Sequence, residues 1–376
     1  MFGFSEQSFY HGRVRWDGQL LSESSLAGGR AARPLPLFDR DAVARTFDTP
    51  GFRGMTFYEV HAKAIINKVP AASRVPFRWT INPYRGCGHA CAYCFARGSH
   101  RYLDLDSGLD FNSKIVVKVN AAEVARRELA RPGWAGEHVA MGTNVDCYQR
   151  AEGRYKLMPG IIGALADARN PFSILTKGTL LLRDLDLIES AAEVTEVGLN
   201  ISVGFTDAEL SASVEPGTPS PQRRLDTCAA IRARGLRCGI LMGPVLPYLT
   251  DSPAQIDATV RQIAAAVASS VTPIPLHLRP GAREWYLGWL AEHHPELVGR
   301  YERLYRSGAY PPREYSQRIG AEVARAARSH GIGRASPASA RELPSRRSAE
   351  HRGQAGGAPG GPGDRGRPAG EQLTLL

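Results

Sequence analysis

Six short apolar runs recur through the middle of the chain: PFRWTIN (76–82), HVAMGTN (138–144), FSILTK (172–177), VGLNISV (197–203), RCGILMG (237–243) and PIPLHLR (273–279). They are rich in Val, Ile and Leu and do not alternate strictly, which is how strands buried on both faces of a parallel sheet read. Helical spacing fills the gaps, in 121–133, 158–170, 182–194, 222–235 and 253–270, and Gly or Asn closes several of these segments where a C-cap should lie. Six β-α units in sequence predict a parallel α/β architecture. Six are short of the eight in a closed barrel, so the predicted form is an open, partial (β/α)6 TIM-like barrel. A doubly wound flat sheet is the alternative that pattern alone leaves open.

The flanks read differently. Residues 1–75 are expected to form an irregular N-terminal extension, with GGRAARPLPLF as a loop and FYEVHAKAIINKVP as a short helix before its proline stop. The core is placed at 76–331, its helical text continuing through WYLGWLAEHHPELVGRYERLY. From 332 to 376 Ser, Pro, Gly and Arg dominate, too little apolar surface to offset the entropy of ordering, so a disordered tail is expected. The last five residues, QLTLL, turn apolar again.

Composition is ordinary for a globular protein, at 43% hydrophobic and 22% charged, but the formal net charge is +10. That balance favours acidic partners such as nucleic acid; an Arg-rich surface without one is the plain alternative. No basic segment runs into an apolar leader at the start, and no window reaches eighteen apolar residues. A cytoplasmic protein with no membrane partner is expected. Six cysteines are too few for a disulfide framework in this length, and three of them fall within eight residues. Cys228 and Cys238, on a helix and the next strand, read as core thiols.

The clustered three stand in INPYRGCGHACAYCFAR, with spacing C-x3-C-x2-C. Cys87, Cys91 and Cys94 can hold three irons of a cubane and leave the fourth open. Zinc is the competing ligand, but structural zinc prefers four protein donors, and no second C-x2-C or His pair follows. The cysteines come after the first predicted strand, on the face where parallel barrels gather their ligand groups.

This run, followed by GTNVDCYQ, ILTKG and a segment from SV to EP, resembles the radical S-adenosylmethionine superfamily. More narrowly it is similar to the spore-photoproduct-lyase-like, or DNA repair photolyase-like, group over roughly Phe57 to Gly288. The resemblance implies a [4Fe–4S] cluster on the three cysteines, S-adenosyl-L-methionine chelated at the open iron, and Tyr93 beside the adenine. It also implies polar groups for the cofactor's amino end at Asn144, Asp146 and Glu152, with Thr143 in the same turn. Lys177 would meet the cofactor carboxylate or ribose, and Ser202 the cofactor as well. Glu215 and Arg224 match the group's Glu-Pro and Arg landmarks, and pair either with a ligand or with each other. A flavodoxin or ferredoxin would supply one electron, and a 5′-deoxyadenosyl radical would take hydrogen from the substrate, in a lyase or oxidoreductase type of reaction.

Two departures bear on the substrate. The lyase returns a hydrogen atom from a cysteine near the position of Gly142 or Thr143, where this chain has no thiol; Cys147, a few residues on, is the candidate. Phe95 stands where the lyase has a tyrosine. Radical chemistry on nucleic acid, of a DNA-repair-like kind, is the leading expectation. The alternatives are the same chemistry on a protein or small molecule, and a zinc-stabilised nucleic-acid-binding protein without catalysis. Gln372–Leu376 resembles the peptide with which bacterial DNA-handling proteins dock on the replication sliding clamp.

Overall fold

The computed structural model describes residues 42–333, apart from 71, 72 and 74. Most of the expected N-terminal extension and the tail with Gln372–Leu376 lie outside the described residues. In chain order the strands are β1 (Val43–Thr46), β2 (Thr56–Val60), β3 (Ile66–Lys68), β4 (Trp79–Ile81), β5 (Tyr84–Arg85), β6 (Lys114–Lys118), β7 (Val139–Met141), β8 (Phe172–Thr176), β9 (Val197–Ser202), β10 (Cys238–Val245) and β11 (Ser270–Pro275).

The larger sheet has the order β11-β10-β9-β8-β7-β4-β3. Its six strands β4, β7, β8, β9, β10 and β11 are parallel and overlap the six apolar runs, the last only over 273–275, with β3 antiparallel at the edge. The partial (β/α)6 TIM-like barrel read from the sequence is the observed architecture. Helices Ala121–Leu129, Leu157–Asp167, Leu185–Val194, Pro221–Ala233 and Pro253–Ala265 return the chain between strands. Their starts follow local chemistry. Ser252 caps Pro253–Ala265 in a reciprocal box with Gln255, and Ser220 accepts from the Arg223 N–H; both helices begin on proline, which has no N–H to leave orphaned.

The two faces of each strand differ. Along β10, Cys238, Ile240 and Met242 join the core packed under the helices, while Leu241 and Gly243 line a cleft. The same split sets Phe172 and Ile174 against Leu175 on β8, and Leu199 and Ile201 against Ser202 on β9. Cys228 and Cys238 are both free and buried in the core, as read from the sequence.

One expectation is corrected. FYEVHAKAIINKVP is not a helix but holds β2 and β3. β2 pairs in parallel with β6, and β3 antiparallel with β4 across residue 75. Aromatic and β-branched side chains fit a pleated ladder, and the partners arriving from 79–118 outweigh the local helical spacing. β1, β2, β6 and β5 make a second, four-stranded sheet.

β11 ends the larger sheet among the described residues. The Leu276 N–H reaches the Val245 carbonyl at 3.1 Å, so the alternating register turns Pro273 and Pro275 toward the outer edge.

Candidate active site

The C-terminal ends of the parallel strands open into a cleft of about 940 Å³, its mouth included. The loop after β4 brings Cys87, Cys91 and Cys94 to one wall of it. This loop is held by backbone rather than by regular structure. The Cys87 N–H donates to the Phe111 carbonyl at 3.0 Å, Ala92 N–H to Val214 O at 2.8 Å and Gly217 N–H to His89 O at 3.0 Å. Gly217 is required by that last contact: a Cβ there would sit 2.0 Å from the Gly88 carbonyl oxygen.

Beneath the loop lies Arg97, fully buried, a residue the sequence reading passed over. Nε and Nη2 donate to the Cys91 carbonyl at 3.1 and 2.8 Å, and Nη2 also to Ala90 O and to Asn112 Oδ1. Nη1 bonds the carbonyls of Ser107 and Gly108. Phe111 and Trp285 face the guanidinium at 5.2 and 4.8 Å. Every one of these acceptors is neutral, so the charge stands uncompensated by any carboxylate contact. A lone Arg after a cysteine motif gives no sequence signal that it is buried.

Burial raises the pKa of all three thiols, that of Cys91 to about 12 even though Lys177 pulls it down, and Cys87 is pushed further by Asp146. Three thiols in one dry wall, with Arg97 and Lys177 beside them, form an environment that favours an anionic thiolate-bound group once metal displaces the protons. Among the described residues no three His, Cys, Asp or Glu side chains converge to hold a single ion. Three thiols on one wall suit a cubane held through three of its irons.

The other predicted residues divide into three sets. Tyr93, Asn144, Lys177 and Ser202 line the cleft with the cysteines. Tyr93 donates its hydroxyl to Glu215 Oε1, and Lys177 Nζ lies 5.7 Å over its ring. Lys177 Nζ donates to Ser202 Oγ at 2.9 Å, and Ser202 donates to Gly243 O at 3.0 Å. Asn144, in the turn after β7, has no side-chain partner among the described residues.

Asp146 also lines the cleft, but its oxygens are taken. Oδ1 accepts from Thr176 Oγ1 at 2.6 Å and Tyr148 N–H at 2.8 Å; Oδ2 accepts from Lys177 N–H at 2.7 Å and stands 3.3 Å from His89 Nδ1. Burial works to raise its pKa, yet His89 and these hydrogen bonds outweigh it and hold the carboxyl at about 2. Asp146 thus fastens the ends of β7 and β8 to the cysteine loop and has no lone pair to spare for a cofactor ammonium.

Glu152 and Cys147 are not brought into the cleft. Glu152 is fully buried behind it, accepting from the Tyr84 hydroxyl, the Leu157 and Met158 N–H groups and Arg183. It caps the start of Leu157–Asp167 because the turn Arg150–Tyr155 points it inward. Cys147 is fully buried in the helix-packed core, its thiol pKa pushed well up by burial, and it faces no cleft surface from which to pass hydrogen to a substrate. Glu215 and Arg224 pair with each other, both 1% exposed, and Arg224 also holds the carbonyls of Pro219 and Ser202.

The wall beyond the cysteines carries Phe95 and His277. His277 lay inside the strand predicted at 273–279. With β11 ending at Pro275 it falls just past the strand end, where functional groups collect.

A model of the Radical SAM superfamily matches residues 81–260. An uncharacterized protein of Mycobacterium tuberculosis and one of Mycobacterium bovis are each 52% identical over 311 residues, 83% of this chain and 91% of theirs. An uncharacterized protein of Methanocaldococcus jannaschii is 31% identical over 195 residues, 51% of this chain and 69% of its own. Among solved structures, spore photoproduct lyase with bound AdoMet and dinucleoside spore photoproduct superposes with a TM-score of 0.57 at 14% identity, covering 80% of this chain and 85% of that one. At that identity the likeness is one of fold.

Proposed function

The chain belongs to the radical S-adenosylmethionine superfamily, enzymes that use a [4Fe–4S] cluster and S-adenosyl-L-methionine, and on that premise we propose that Cys87, Cys91 and Cys94 hold the cluster and that the substrate is nucleic acid. The observation that carries the first part is the set of three thiols on one cleft wall, Cys87 and Cys91 buried and Cys94 partly so, beside the cations Arg97 and Lys177. When bound, the reduced cluster and S-adenosylmethionine supply a 5′-deoxyadenosyl radical that takes a hydrogen atom from the substrate.

The chain's own groups bind and orient. Tyr93, fixed through Glu215 and Arg224, offers a ring at the cofactor wall, and Lys177 with Ser202 offers a cation and a hydroxyl toward a carboxylate or ribose. Asn144 is free to accept from an ammonium, the role that the bonding of Asp146 leaves to it. Leu175, Leu241 and Ile274 floor the cleft and keep water from a reactive species. Residues 76–331 form the catalytic core in this reading, with the family match falling inside it.

Nucleic acid is supported by the net charge of +10 and by a cleft whose one carboxylate among the described residues is already engaged. A flavodoxin or ferredoxin in the cytoplasm would deliver the electron, a compartment that suits six free cysteines. Docking of Gln372–Leu376 on a sliding clamp belongs to the same reading. A tail peptide without affinity for purified clamp removes it.

The deciding test is anaerobic iron and sulfide assay of the full chain, then dithionite reduction with S-adenosylmethionine and chromatography for 5′-deoxyadenosine. About four irons per chain with deoxyadenosine formed supports the proposal. A zinc-loaded protein that forms none after reconstitution overturns it.

The tight backbone contact gives a second expected outcome. Gly217→Ala forces its methyl against the Gly88 carbonyl and should destabilise the protein by about 1–3 kcal/mol while halving retained iron or worse. Gly288→Ala, where an added Cβ meets nothing within 4 Å, should do neither. Thermal unfolding and iron per chain measure both.

A further inference from the structure

The cleft wall past the end of β11 carries His277, to which the cofactor reading above assigns no role, with Arg279 and Tyr310 beside the lining. His277 is 7% exposed, lines the cleft, and its ring nitrogens make no hydrogen bond among the described residues. Those nitrogens open to the cleft, where a bound group can reach them. The imidazole lies against Tyr310 with ring centroids 4.5 Å apart. Burial, and then the charge of Arg279, push its pKa down to about 4, so at neutral pH it offers one N–H donor and one acceptor nitrogen.

Two residues on, half-buried Arg279 donates from Nη2 to the Tyr310 hydroxyl at 2.9 Å, and its guanidinium lies 5.6 Å over the Phe95 ring. That single side-chain bond leaves most of its fork of donors unused. No carboxylate pairs with it, and Asp146, the one acid of the cleft among the described residues, is shared among His89, Thr176, Tyr148 and Lys177. The wall is also fixed relative to the cysteines. A Cβ on Gly98, in the turn just after Cys94, would stand 3.0 Å from the Pro280 carbonyl oxygen.

A ligand that completes this wall needs a flat polar edge for His277, an anionic oxygen for Arg279 and a ring face for Phe95 or Tyr310. A nucleotide carries all three on one unit, whereas an acidic peptide must spread them over several residues. We propose that His277, Arg279 and Tyr310 recognise the substrate as a nucleotide, His277 bonding the base edge and Arg279 the adjoining phosphate; this rests on the nucleic-acid reading above.

The test is fluorescence anisotropy of the full chain, cluster reconstituted, with a short fluorescein-labelled thymidylate strand over a range of salt. Arg279→Gln is expected to weaken binding about tenfold and to lower the slope of log K against log salt by about 0.7, one phosphate contact on a single strand. His277→Ala should weaken binding without changing the slope, with thermal unfolding confirming that both variants fold. Wild-type binding that neither variant alters overturns this assignment and leaves the nucleic-acid reading standing. A wild type that does not bind the strand at any salt overturns that reading, and this one with it.

Discussion

Replacing Cys91 by alanine is expected to leave a folded protein that retains little iron and forms no 5′-deoxyadenosine from S-adenosylmethionine. The fold should survive because the change removes one sulfur from a cleft wall, while the backbone bonds at Cys87, Ala92 and Gly217 and the Arg97 and Asp146 contacts that hold the loop all remain. The chemistry should not, because a cubane with an open iron needs all three remaining irons ligated, and no fourth cysteine lines the cleft among the described residues. Cys147→Ala is the matching control. Its thiol is fully buried in the helix-packed core, so the variant is expected to keep both iron and deoxyadenosine at the cost of about 1 kcal/mol for a small cavity. Iron assay and product chromatography on the two variants decide the matter. Iron retained by the Cys91 variant removes it from the ligand set, and deoxyadenosine lost from a stably folded Cys147 variant restores that thiol to the site.

The second large effect is expected at Arg97. Arg97→Met keeps much of the volume between Phe111 and Trp285 but leaves the carbonyls of Ala90, Cys91, Ser107 and Gly108 without the donors they now have. Each buried acceptor left unpaired costs roughly 1–3 kcal/mol, so a total loss of about 3 kcal/mol or more is expected. Arg97→Lys should recover only part of it, since an ammonium cannot reproduce a planar fork. The effect on the site should exceed the effect on the fold, because two of the freed carbonyls belong to the cysteine loop itself. Denaturant unfolding gives the first quantity, and iron per chain at equal folded fraction gives the second. A variant as stable and as iron-rich as the parent would show that the loop holds its shape without this clamp.

What could be read from the residues follows from burial and periodicity. The six parallel strands were legible because strands covered on both faces must be apolar throughout, and nothing else in a basic chain reads that way. The cysteine spacing was legible because few structures demand three thiols so close together. β2 and β3 were not, since Phe57, Tyr58, Ile65 and Ile66 satisfy a helical stripe as readily as a ladder, and the partners that decide it lie up to about 60 residues away. Glu152 and Cys147 were drawn toward the site by their nearness in sequence to Asn144, but a single turn at Arg150–Tyr155 rotates Glu152 inward. His277 was hidden by a boundary: the strand ends at Pro275 rather than at 279, and that shift separates a strand interior from a site wall. Arg97 was hidden because charge normally means surface.

The prolines on the outer edge of β11 limit how far the larger sheet can grow. With no N–H at 273 and 275, that edge cannot continue the ladder, so another strand cannot zip along it and draw the barrel shut. The end of the sheet is therefore written into the backbone. A closed ring of strands admits only what fits down its axis. Here the parallel strands stop at six among the described residues, and the cleft they carry is not confined in that way.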